Sequence, residues 1–123
     1  MPPIHKFSEL IVQDLPLAGI LVRFRSRKLV GENLCAKIRQ ELESLVEPER
    51  LILADMSSVE HVGSNVLGVL IIIQKQLRHK AGALSLCGMH DHLEEVFRIT
   101  RLSKLFDIYP SLEAALGDEA SAP

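Results

Sequence analysis

Residues 51–68 read LILADMSSVEHVGSNVLG, and the fold turns on how this window is parsed. Leu51–Ala54 is a short continuous apolar run bounded by charged and turn-forming residues, the pattern of a strand buried on both faces. Asp55 to Gly63 is polar and reads as loop. Gly63, Ser64 and Asn65 then form a turn that opens a second apolar run, Val66 to Ile73. Propensity alone leaves that run open between buried strand and buried helix. The residues after Ile73 tilt it to helix: the chain continues without a breaker as far as Gly82, and Arg78, His79 and Lys80 supply the cations that favour a helix C-terminus. The window is strand, loop, helix, with Ser64 at the helix start on a surface loop.

Working outward, Phe7 to Val12 and Leu17 to Phe24 are apolar runs separated by Asp14 and Pro16, with Gly19 nearby, which predicts a hairpin. From Gly31 the period lengthens. Leu34, Ile38, Leu42 and Leu45 recur at helical spacing against a charged face, and Pro48 lies just beyond. Ala83 to Cys87 reads as a further buried strand. Asp91 with Glu94 three residues on predicts a capping box opening a short helix whose apolar face is Leu93, Val96 and Phe97. Leu105 to Ile108 is expected as the last strand. Pro110 and Ser111 then open a final turn or two of helix carrying Leu112, Ala115 and Leu116. The alternation predicts a single α/β domain over residues 1–117, followed by a flexible tail at 118–123. Its central sheet is mixed and mostly parallel, with an N-terminal hairpin and about four helices. In such sheets function gathers beyond the carboxyl ends of the strands, one of which the Asp55–Asn65 loop leaves.

Composition narrows the function. With 123 residues, 47% of them apolar, the chain fills one domain, and a formal charge of −2 lacks the cationic excess of a general polyanion binder. No direct nucleic-acid partner is expected. The two cysteines, Cys35 and Cys87, lie in apolar stretches and read as buried reduced thiols, which implies a reducing cytoplasm. The first residues, MPPIHKFSEL, lack the basic-then-apolar pattern of an export signal, and no apolar run reaches the length of a bilayer span. A soluble cytoplasmic protein with no membrane partner is the expectation.

LILADMSSVEHVGSNVLGVL, the turn at Gly82 with its strand, and VFRITRLSKLFDIYPSLEAAL together resemble the STAS domain of bacterial anti-sigma-factor antagonists, over roughly Leu51 to Leu116. The resemblance implies a non-enzymatic protein that works by partner switching. It binds an anti-sigma factor that is also a serine kinase, and it is controlled by phosphorylation of one serine. That serine falls on Ser64, and Gly68 falls on the family's second glycine, where a missing side chain lets the helix pack closely on its neighbours. Leu67 is retained. Gly63 stands where the family usually has Asp, Asn65 where it has Ser or Thr, Val66 where it has Gly, and Arg101 where a Gly often precedes Leu102. The partner face implied is Gly63, Asn65 and Val66 with part of the helix, joined by His61, Arg25 and Arg27. Homodimerisation through the same surface is a further option. Alternatives are a STAS scaffold that is never phosphorylated and a STAS component of a transport system.

Chemistry alone supports Ser64 as a phosphate site, because the first turn of a helix offers unpaired N–H groups and a positive dipole end. Read without the resemblance, Ser64 is a helix N-cap. Strand alternation places Arg23, Arg25 and Arg27 on one face and Phe24 on the other, giving a solvated edge or a contact for a phosphate. His90 and His92 flank Asp91 but lack a third ligand, so no metal is expected. No catalytic constellation is complete, no phosphate-binding glycine loop occurs, and no cofactor is expected.

Overall fold

A computed structural model describes residues 7–15 and 19–121, with side chains as far as Gly117. In chain order the elements are β1 (Leu10–Asp14), β2 (Gly19–Phe24), β3 (Lys28–Leu29), α1 (Glu32–Ser44), β4 (Leu51–Asp55), β5 (His61–Val62), α2 (Ser64–His79), β6 (Ala83–Cys87), α3 (Asp91–Ile99), a 3-10 turn (Leu102–Lys104), β7 (Asp107–Tyr109) and α4 (Leu112–Ser121). Five strands form one sheet in the order β1-β2-β4-β6-β7. β1 is antiparallel to β2, and every other pairing in that sheet is parallel. This is the expected mixed sheet, with β1 and β2 as the hairpin arms; its turn at 16–18 lies outside the described residues.

Alternation divides the strand side chains between two layers. Ile20, Val22, Phe24, Ile52, Ala54, Leu84 and Leu86 face one way, into a core with α1, α2 and α3. Leu21, Leu53 and Cys87 face the other way and meet Ala115 of α4. α2 supplies Val66, Val69, Leu70, Ile73 and Leu77, all buried at i, i+3, i+4, i+7 and i+11. Each such side chain contributes about 1.5–3 kcal/mol of burial, so truncating Ile73 to Ala would cost about 2–5 kcal/mol. Glu41 on α1 ties the helical layer to the sheet edge: its carboxylate accepts from the N–H groups of Ser8 (3.0 Å), Glu9 (3.0 Å) and Leu10 (3.1 Å) and from the Ser8 hydroxyl (2.7 Å).

Several local expectations are corrected. The segment expected to be all loop contains β5, which pairs in parallel with β3 as a separate two-stranded sheet. The last strand begins at Asp107, because Leu102–Lys104 form a tight turn first. α3 is capped by His90: its Nδ1 accepts from Leu93 N–H at 3.3 Å, so Asp91 is the first helical residue and no capping box forms. α4 runs from Leu112 to Ser121, ten residues where a turn or two was expected. Of the two thiols Cys87 is buried, whereas Cys35 is only half-buried.

Candidate functional site

The site begins at Asp55, the last residue of β4. Its Oδ1 accepts from Ser57 N–H at 3.0 Å and its Oδ2 from Arg23 Nε at 3.1 Å, so one carboxylate turns the chain out of the sheet and grips the adjacent strand. The backbone then returns to the core at Met56 and Val59, both buried, with Met56 N–H donating to Cys87 O at 2.8 Å. Beyond this point the loop is held by the preceding basic segment. Glu60 N–H donates to Arg27 O at 2.7 Å and Gly63 N–H to Leu29 O at 2.8 Å, on either side of the β3–β5 pairing. From the other flank, the His90 ring Nε2 lies 2.9 Å from Glu60 O. With Nδ1 occupied as an acceptor from Leu93, that geometry fits the tautomer with the proton on Nε2.

Against this fixed support Ser64 is exposed as the first residue of α2. Gly63, in extended conformation, is the N-cap and offers no side-chain bond, so the reading of Ser64 as the cap is overturned. Among the described residues its hydroxyl has no hydrogen-bond partner. Asn65 Oδ1 accepts from Val66 N–H at 2.9 Å, and the first turn carries no acidic residue. The site can therefore present a free hydroxyl beside the positive end of a sixteen-residue helix dipole.

The partner face inferred from sequence is partly assembled. Gly63, Ser64 and Asn65 lie together, and His61 is exposed on β5 beside them. Val66 differs from the others: it is 0% exposed and anchors α2 in the core, so its side chain is not part of the exposed face. Arg23 lies on the sheet and pairs with Asp55, whereas Arg25 and Arg27 fall beyond the end of β2 and do not share its strand face. Both are exposed, and the guanidinium of Arg27 is 3.7 Å from Glu60 rather than committed to Ser64. Gly68 is corrected as well. A Cβ built there meets no atom within 4 Å, so close packing inside the chain does not explain the glycine. Asp55 was not singled out from sequence, although a carboxylate two residues before Ser57 at a strand end is the signature of an Asx turn.

Residues 33–115, most of the chain, match the family profile described as STAS domain. The chain belongs to the STAS family. Over 80 residues it is 34% identical to a putative anti-sigma factor antagonist, BtrV, of Bordetella bronchiseptica, an alignment covering 64% of this chain and 69% of that protein. Among solved structures, an anti-sigma-factor antagonist (STAS) domain protein from Planctomyces limnophilus superposes with a TM-score of 0.79 at 21% identity, covering 91% of this chain and 98% of the other. The phosphorylated form of the Bacillus cell fate determinant SpoIIAA superposes with a TM-score of 0.64 at 15% identity, covering 89% and 98%. These two likenesses establish that the STAS protein shares their fold. No helix among its described residues is long and apolar enough to cross a membrane.

Proposed function

We propose that this STAS protein is a cytoplasmic anti-sigma-factor antagonist that binds an anti-sigma factor with serine kinase activity and is released when Ser64 is phosphorylated. The observation that carries the reading is the free, exposed hydroxyl of Ser64 at the start of α2, on a loop bonded to β3, β6 and His90. The relation to BtrV supports the partner class, and the existence of SpoIIAA in a phosphorylated form supports the modification. Phosphate would add about −1.5 to −2 charges at neutral pH, and dehydrating that dianion beneath an apolar partner surface would break the complex without unfolding either protein. Because the loop is anchored by backbone bonds, the switch is local electrostatics and not a melted segment.

Incubating the protein with the anti-sigma factor of its own organism and ATP, followed by mass spectrometry, should place one phosphate on Ser64. Ser64→Ala should bind the anti-sigma factor at wild-type affinity, and Ser64→Asp at least tenfold more weakly. A second reading keeps the binding surface and drops the phosphate. Gly63 favours it, because it leaves the serine without an adjacent carboxylate. In that case no phosphate is found and both variants bind alike.

A further inference from the structure

His90 stands between β6 and α3 and bonds in two directions. Its Nε2 lies 2.9 Å from the carbonyl oxygen of Glu60, on the loop that leads into β5, and its Nδ1 accepts from Leu93 N–H at 3.3 Å in the first turn of α3. The two bonds ask opposite things of one ring. Glu60 O can only accept, so Nε2 must carry a proton; Leu93 N–H can only donate, so Nδ1 must be bare. A neutral imidazole in a single tautomer meets both demands. An imidazolium carries a proton on each nitrogen and meets only the first.

The ring is exposed, so a proton reaches it directly from solvent, whereas the turn that it caps carries Leu93 into the core. Around it the loop presents His61 and Glu60, the latter paired with Arg27 at 3.7 Å. α3 presents Asp91, His92 and Glu94, and beyond Gly88 lies Asp55, paired with Arg23. Asp91 and Glu94 favour a charged ring. The positive end of the α3 dipole disfavours it, as does a charge on His92, whose ring stacks on His90 with centroids 6.3 Å apart and planes 3° from parallel. Carboxylic acids ordinarily titrate at about pH 4 and imidazoles at about pH 6.5, so acidification from about pH 8 to about pH 5.5 acts on the histidines.

We infer that His90 is a proton-operated joint between the Ser64 loop and α3. Neutral, it ties both; protonated, it keeps the Glu60 carbonyl and lets go of Leu93 N–H. Acidification therefore frees the first turn of α3, while the loop stays anchored through Glu60 N–H and Gly63 N–H on the β3 segment. The joint is independent of phosphorylation and operates equally if Ser64 is never modified.

The test follows the full chain by NMR between about pH 8 and about pH 5.5, with His90→Asn and His92→Asn beside the wild type. At the upper pH the His90 ring nitrogens should show the tautomer protonated on Nε2. The exchange protection of the Leu93 amide should then fall at least tenfold on acidification, with the midpoint of the His90 ring titration, while that of the Gly63 amide holds. His90→Asn supplies an oxygen that caps the turn but takes up no proton, so its Leu93 protection should be the same at both ends of the range. His92→Asn should keep the wild-type pH dependence. A proton on Nδ1 at the upper pH, or Leu93 protection that does not follow the His90 titration, overturns the inference. So does a pH dependence that survives in His90→Asn or disappears in His92→Asn. Loss of Gly63 protection together with that of Leu93 would show the loop released as well and would also overturn it. The ring and amide titrations of the wild type decide the matter even if a variant fails to fold.

Discussion

Asp55 is a buried carboxylate whose position decides its charge. Burial alone would raise its pKa, but the Ser57 N–H and hydroxyl and the Arg23 guanidinium outweigh burial and hold it below the ordinary 3.8. A carboxylate depressed in the folded state contributes stability that is fully present above the unfolded value and is lost as pH falls through the folded one. Asp55→Asn should therefore lower stability at neutral pH and flatten its decline between about pH 5 and about pH 3, as read from urea midpoints at each pH. Gln74 makes a second test at this scale, because it is 3% exposed and completes the sheet where β7 has not yet begun. Its Oε1 accepts from Leu84 N–H at 2.7 Å, and its Nε2 donates to Leu84 O at 3.0 Å and Leu105 O at 2.7 Å. Gln74→Leu keeps the volume but takes the side-chain partner from Leu84 N–H and Leu84 O, while Leu105 O keeps its bond from Arg78, and should cost about 2–5 kcal/mol in urea unfolding.

The end of α2 shows how one element is closed and attached to the next. Ala81 N–H donates to Arg78 O and Gly82 N–H to Leu77 O, a Schellman closure with Ala81 in the left-handed region at φ 63°. Ala81→Gly should relieve that conformation and stabilise the fold by about 1 kcal/mol in thermal unfolding. Gly82→Ala should do the opposite and severely, because its Cβ would run into the Arg50 carbonyl at the entry to β4. The stop at Gly82 was readable in the sequence, as were the helical reading of Val66 to Ile73, the hairpin arms and the phase of α1, since each rests on many residues repeating one period. β3 and β5 were not readable: two residues each cannot display alternation, and their pairing is visible only once Leu29 and Val62 are side by side. The cap of α3 was misplaced by one residue because a histidine nitrogen did the work expected of an aspartate. Ser64 was located, but Val66 was assigned to the surface, since its burial depends on the rotation of α2 against the sheet.

At the scale of the whole molecule the two thiols report on different things. Cys87 is 0% exposed and its thiol is pushed up to about 11, by burial first and by Asp55 second, so it reacts only when the sheet opens. Cys35 lies half-buried on the helical layer and is reachable in the native state. Native protein should consume one equivalent of a thiol reagent promptly and the second at the rate of global unfolding. Denaturant should expose both at once, and prompt native labelling of two would contradict the packing of β6. The anchored loop carries a consequence of another kind. Met56 and Gly63 are both bonded to neighbouring strands, with the β3–β5 register between them, so the count of residues joining the two anchors has no slack. Substitution can reshape that arc freely, but an insertion or deletion would carry Ser64 away from its place. Homologous chains that keep the proposed phosphoacceptor should therefore vary here in letter and not in length, and an alignment gap in the arc would mark a lineage in which the hydroxyl has lost that place.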